Sequence, residues 1–376
     1  MAHTYTPGLR VTAYTTVRKE RRLPIAGKVL VQKGAVVKAE DVVATAELPG
    51  TVATLNVMNQ LGISAGEIPG YMLKQEGDPV RANEIIAETR PFLKLFRSVA
   101  HSPIGGTIEI ISDVTGQVIV RAAPRPVDLL AYIDGTVVEI LEGEGVVVET
   151  SGAFIQGILG IGGEVCGEIT LAGAGRDAVI TPDDLKPEMK GAIVVAGSFV
   201  SSAVFQRATE IGIEALICGG FNDVDLRALL GRDLGVAITG QEDIKPILII
   251  TEGFGTIPMA QATYDLLAAH AGRRASASGA TQIRAGVMRP EIIIPADKND
   301  SRTAAAAEEP EHTGLQAGTR VRIIREPYFG VLGTVKSLPT GLTTVESETK
   351  VRVVEITCDD GRIAIVPRSN VEAIES

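Results

Sequence analysis

The sequence predicts a multidomain α+β chain with a β-rich N-terminal region, a central α/β domain containing parallel strands, and a small C-terminal β-barrel. Three observations predict it. A segment beginning at Gly34 returns without gaps at Gly77, 43 residues later. Between residues 188 and 295 the hydrophobic pattern switches to strands alternating with helical spacing. Beyond a polar, alanine-rich stretch, five short β segments follow one another. At 376 residues the chain is also too long for one ordinary core.

Residues 1–23 form an N-terminal segment. It carries no apolar signal core, and no run of about eighteen apolar residues occurs anywhere, so a soluble, cytoplasmic protein without membrane contact is expected. Its basic patch, Arg18-Lys-Glu-Arg-Arg22, has two readings: contact with an anionic partner, or charge guarding a strand edge.

Residues 24–187 hold the repeat. Gly34-Ala-Val-Val-Lys-Ala-Glu-Asp-Val-Val-Ala44 aligns with Gly77-Asp-Pro-Val-Arg-Ala-Asn-Glu-Ile-Ile-Ala87, a turn glycine, an inward valine, a polar turn and a short buried strand. Gly-Thr-apolar steps follow the copies at Gly50-Thr51-Val52 and Gly106-Thr107-Ile108, with a third at Gly135-Thr136-Val137. Over residues 24–170 this pattern resembles the barrel-sandwich hybrid fold of lipoyl and biotinyl domains. In swinging-arm carriers of that fold a modifiable lysine sits on a hairpin tip. The tips expected here, Leu48-Pro-Gly-Thr51 and Ser102-Pro-Ile-Gly-Gly106, hold no lysine, so the resemblance implies a scaffold rather than a carrier. Gly173-Ala-Gly175-Arg-Asp-Ala178 matches a dinucleotide fingerprint in spacing, but Pro182 stands where the helix must run, which makes it a turn.

In the α/β domain, 188–295, Gly191–Ala196 and Ile213–Cys218 read as strands around a helix from Ser198 to Gly212, a βαβ unit with parallel strands. A short helix from Asn222 or Asp223 to Leu230, a strand from Pro246 to Thr251 and a helix from Pro258 to His270 complete it. Ligands in such sheets bind at the carboxyl ends of strands. The candidate ligand-binding residues are therefore Gly219, Gly220 and Asp223, then Thr239 and Gly240, then Thr251, Glu252, Gly253 and Gly255. Backbone N–H groups there could cradle an anion. The alternative is that the glycines make sharp strand exits and Asp223 caps a helix.

Residues 296–314 read as a flexible linker. In 315–376, Arg320-Val-Arg-Ile-Ile-Arg-Glu-Pro-Tyr-Phe-Gly-Val-Leu-Gly-Thr-Val335 is a strand, a glycine turn and a second strand. It resembles the KOW motif of NusG-like proteins. That resemblance implies an SH3-like barrel whose turn needs Gly330 and Gly333 and whose adjoining loop docks a protein or RNA partner. Arg320 and Arg322 share a strand face with Arg325 nearby, and Tyr328 and Phe329 must either pack inward or meet a partner. The candidate partner-binding residues are thus Arg320, Arg322, Arg325, Tyr328, Phe329 and Gly330. Eight cations balance eight anions in this domain, which favours a protein partner over RNA.

Composition narrows the chemistry. Three distant cysteines encode neither a disulfide framework nor a metal site. A formal charge of −10 and the absence of Trp argue against a general nucleic-acid binder. Four scattered histidines offer no metal cluster, and Lys245, Glu242, Asp243 and Glu252 read as solvated charges. No catalytic residue, metal or cofactor is predicted. The expected function is a non-enzymatic adaptor or assembly protein. The alternatives are an enzyme or sensor taking a small anionic metabolite at the glycine loops, and an RNA-binding factor of transcription or translation.

Overall fold

The computed structural model describes residues 9–89, 97–222, 224–225, 244–281, 288–296, 315–323, 328, 331–339, 341–344, 350–359 and 361–373. The chain is β-rich and builds several sheets.

The first strands are β1 (Val11–Arg22), β2 (Lys28–Val29), β3 (Val36–Val37) and β4 (Val42–Leu48). An inner unit follows: β5 (Val52–Asn56), α1 (Val57–Leu61), α2 (Ile68–Tyr71), β6 (Pro79–Val80), β7 (Ile85–Glu88), β8 (Val99–His101), β9 (Gly106–Ile111) and β10 (Gln117–Arg121). The chain then returns to the first strands through β11 (Arg125–Leu130), β12 (Gly135–Leu141) and β13 (Gly145–Gln156).

The inner unit repeats the outer one strand for strand. The inner sheet has the order β5-β10-β9-β6, and the outer strands pair in the order β1-β13-β12-β3. Pro79 faces Thr107 as Val36 faces Thr136, and Ile85 faces His101 as Val42 faces Leu130. Irregularities recur too. Glu109 and Val138 are both skipped in register, and so are Ile86 and Val43, whose side chains are fully buried in their respective cores. Gly34 and Gly77 both take the left-handed φ that their turns require, +88° and +91°, and each donates its N–H to the strand that carries the Gly-Thr step. The sequence repeat is thus one copy nested inside the other. The Gly-Thr step belonging to the first copy is Gly135-Thr136, not Gly50-Thr51.

Nesting relocates the hairpin tips. Leu48–Thr51 is the crossing from β4 into β5, and Ser102–Gly106 joins β8 to β9, so neither is a tip. Residues 90–96, between β7 and β8, lie outside the described residues. The expectation of lysine-free hairpin tips therefore does not apply to Leu48–Thr51 and Ser102–Gly106, since each joins strands of different sheets.

The central sheet contains β14 (Leu159–Ile161), β15 (Glu164–Leu171), β16 (Ile193–Val195), β17 (Phe199–Val200), α3 (Ser202–Ile211), β18 (Ala215–Phe221), β19 (Ile247–Phe254), α4 (Gln261–Ala269), β20 (Arg274–Ser278) and β21 (Glu291–Pro295). Strands β15, β16, β18 and β19 are parallel neighbours, and β14 closes one edge antiparallel to β19. On the other side β20 and β21 lead to β13, so this sheet is continuous with the outer unit and crosses the division expected at residue 188. Alternation along β18 sends Leu216 and Cys218 to the face covered by α3, and Ala215 and Ile217 to the face covered by α4. Ser201 caps α3 by accepting the Val204 N–H, and Gly212 ends it in the left-handed region.

The terminal sheet comprises β22 (Arg320–Ile323), β23 (Leu332–Ser337), β24 (Leu342–Thr344), β25 (Lys350–Cys358), β26 (Ile363–Pro367) and β27 (Val371–Ala373). Its order is β24-β25-β23-β22-β27, with β26 on β25, around its own core of Val321, Ile323, Val335, Val354, Ile356, Val366 and Val371.

Candidate functional site

The two sets of candidate residues meet. Arg322 leaves the terminal sheet and enters the central domain, where its Nη2 donates to the Glu252 carboxylate and its Nη1 points at the Glu252 main-chain oxygen at 3.4 Å. Both side chains are almost wholly buried, 7% and 8% exposed. The second carboxylate oxygen of Glu252 accepts the Ala260 N–H at 2.9 Å. The sequence pattern marks Glu252 as a solvated charge. The structure corrects this, because β19 is buried from Ile247 through Gly253 and Arg322 of the terminal sheet closes onto the Glu252 carboxylate.

The glycines around Glu252 serve close packing. A Cβ on Gly219 would overlap the Ile257 carbonyl, and one on Gly220 the Gly255 carbonyl, because the segment after β19 crosses directly over β18. Their N–H groups are spent inside the chain: Gly219 donates to Gly197 and Gly220 to Ser198, at 2.8 and 2.9 Å, while Gly255 donates to Phe221 at 3.0 Å. Thr251 directs its hydroxyl to the Cys218 carbonyl. Gly253 is paired with Gly220 in the β18–β19 register. An anion cradle made of these amides would have to break bonds that already hold the end of β18 to the segments beside it. Asp223, Thr239 and Gly240 lie outside the described residues.

Of the partner-binding candidates, Arg320 makes a two-pronged, solvent-exposed pair with Asp359. Tyr328 is half-buried and packs against the terminal core. Arg325, Phe329 and Gly330 lie outside the described residues. Gly333 is needed for close approach to β25, where a Cβ would press on the Thr357 carbonyl and the Ile356 side chain.

A second polar cluster, missed in the sequence, lies where the outer unit meets the central sheet. Tyr132 is buried with φ of +70°, and its hydroxyl donates to Glu291 at 3.2 Å. Lys19 binds the same carboxylate, while Arg21 stacks over the Tyr132 ring and forks onto Glu164. Burial, followed by the negative charge of Glu291, pushes the Tyr132 hydroxyl well above its ordinary pKa. The basic patch of 18–22 is thereby consumed, with Arg18 on Glu149 and Arg22 on Glu144 and Glu20.

Cys218 is fully buried, and desolvation alone drives its thiol far upward, away from nucleophilic use. Among the described residues no group of His, Cys, Asp and Glu could hold a metal ion, and no helix is long and apolar enough to cross a membrane. Compared with known proteins, the chain matches no family model and has no significant curated relative.

Proposed function

We propose that this protein is a non-enzymatic adaptor of the reducing cytoplasm that binds a protein partner through its terminal unit. In this reading the terminal sheet is a KOW-type, SH3-like barrel. The nested N-terminal units are barrel-sandwich hybrids serving as a mount, and the central α/β domain joins the two in a multidomain α+β arrangement. The observation that carries the reading is the Arg322–Glu252 contact. The β22 face is already engaged in buried, charge-specific recognition of a different folded unit, which is the kind of contact an adaptor domain makes with a partner. The internal hydrogen bonds of Gly219, Gly220 and Gly255 count against the competing reading of an anionic-metabolite site.

The test is affinity capture with quantitative mass spectrometry, comparing the full-length protein with a full-length variant carrying Arg320→Ser and Arg322→Met. At least one captured protein should be lost from the variant while its circular dichroism stays native. An unchanged set of captured proteins refutes the assignment.

A further inference from the structure

We infer that Glu252 is an internal stand-in for an acidic segment of the partner, so that the terminal unit is held closed by its own chain until a competing carboxylate displaces it. The inference rests on the adaptor reading and adds the partner's chemistry and a mode of regulation.

The geometry of the contact defines what Arg322 recognises. One guanidinium addresses the carboxylate and the main-chain oxygen of the same residue, so the recognised element is an extended acidic residue presenting both. Within the central domain the Ala260 N–H fixes one carboxylate oxygen, which leaves the other aimed at Arg322.

The contact is also separable. Among the described residues, strands β22 to β27 pair only with one another, and they enclose their own core, so undocking breaks the side-chain bonds of Arg322 but no sheet. The sequence places eighteen residues, 297–314, between Ala296 of the central domain and the terminal unit. Such a length can reach about 60 Å at full extension. An apolar contact would hold two units together at least as firmly as a buried ion pair, which must offset the desolvation of both charges. What the ion pair adds is selectivity for a carboxylate and the ability to exchange one carboxylate for another. A tethered acceptor acts at an effective concentration of about a millimolar, so the closed form screens out weak acidic ligands and yields to strong ones.

The experiment uses the full-length protein and two substitutions that both release the contact. Glu252→Gln removes the stand-in and keeps the recognising arginine. Arg322→Met removes the arginine. The probe is a fluorescent peptide of residues 251–260, with its Glu252→Gln version as control, measured by anisotropy up to about 1 mM. Small-angle scattering reports opening, and protection of the β25 amides reports that the terminal unit stays folded. Both variants should show a larger radius of gyration than the wild type. The Glu252→Gln protein should bind the acidic peptide at least about tenfold more tightly than the wild type does. The Arg322→Met protein and the control peptide should show no binding. Equal radii for wild type and variants overturn the inference. So does equal peptide binding by wild type and Glu252→Gln, binding that survives Arg322→Met, or no binding to Glu252→Gln. If opening and peptide binding occur as stated but no cellular protein depends on Arg320 and Arg322, the adaptor reading fails and the internal stand-in stands. If cellular partners depend on those arginines while the radii stay equal, the adaptor reading stands and the stand-in fails.

Discussion

Tyr132→Phe isolates one hydroxyl at the seam between the outer unit and the central sheet. The hydroxyl donates to Glu291 at 3.2 Å from a fully buried ring, and hydrogen bonds to charged groups contribute about 1.5–3 kcal/mol. Glu291 keeps Lys19 at 2.5 Å after the substitution, so no charge is stranded and the loss should fall near the lower end, about 1.5 kcal/mol. The ring stays in place, so its apolar burial is unchanged. A second signature depends on pH. The folded pKa of Tyr132 is raised, so the hydroxyl stays protonated in the folded chain at pH values where the unfolded chain has begun to ionise near pH 10. Above that pH the unfolded state binds fewer protons, and stability falls by about 1.4 kcal/mol per pH unit until the folded pKa is reached. Below pH 10 this contribution is fully present. Urea unfolding followed by circular dichroism at pH 7, 9, 10 and 11 measures both effects, taking the transition that the substitution moves. The wild-type transition should weaken steeply above pH 10 and the variant less steeply, so that the two converge. Parallel pH curves, or a variant as stable as wild type at pH 7, would refute the assignment of a buried, charge-coupled hydroxyl.

Further outcomes follow from individual contacts. Ile86→Ala, at the fully buried residue skipped in the inner hairpin, should cost about 2–5 kcal/mol in the inner unit's unfolding transition. Gly220→Val should displace the segment that crosses β18. Faster amide exchange at Gly255 and Ile257, whose N–H groups bond to Phe221 and Ser198, would show this. Arg18→Ala, at a pair whose arginine is 71% exposed, should change stability by less than about 1 kcal/mol in the same urea assay. Cys218 should resist a maleimide in the native protein and react only after unfolding, as mass spectrometry of labelled peptides would report.

Much of the local structure was legible because it depends on local patterns. The strands read at Gly191–Ala196, Ile213–Cys218 and Pro246–Thr251 fall on β16, β18 and β19, and the helix read from Ser198 to Gly212 falls on α3, which begins only at Ser202 because Phe199 and Val200 pair with β18. The repeat at Gly34 and Gly77 was legible as similarity, but its nesting was not. Each copy completes its sheet with a strand that follows on the far side of the inserted unit, and sequence spacing alone pairs the wrong Gly-Thr step. The Arg322–Glu252 pair joins residues 70 positions apart in different sheets. Nothing local distinguishes Glu252 from a solvated acid, and Arg322 alternates with Val321 and Ile323 as an outward-facing strand cation ordinarily does. Tyr132 gave no signal, since its left-handed backbone is imposed by contacts to Ala39 and Glu291 rather than by a glycine or asparagine at that position.

The charged strand β1 shows how one sequence feature divides between two roles once its partners are known. Side chains alternate along a strand, so Lys19 and Arg21 point one way while Arg18, Glu20 and Arg22 point the other. The inward pair reaches Glu291 and Glu164, both on strands of the central sheet, and these cations are only 25% and 14% exposed. The outward cations Arg18 and Arg22 pair with Glu149 of β13 and with Glu144 just before it, and stay about half-exposed or more. β1 runs along nearly the whole of β13, whose first half also pairs with β12 of the outer unit and whose second half pairs with β21 of the central sheet. The same basic run that could have served a nucleic acid or an acidic partner thus bolts the nested units to the parallel sheet. Its inward charges hold two pieces of the chain in fixed register, whereas the Arg322–Glu252 pair joins two pieces that, among the described residues, share no strand. This contrast in backbone continuity, more than any difference in charge, is what the proposed release of the Arg322–Glu252 contact depends on.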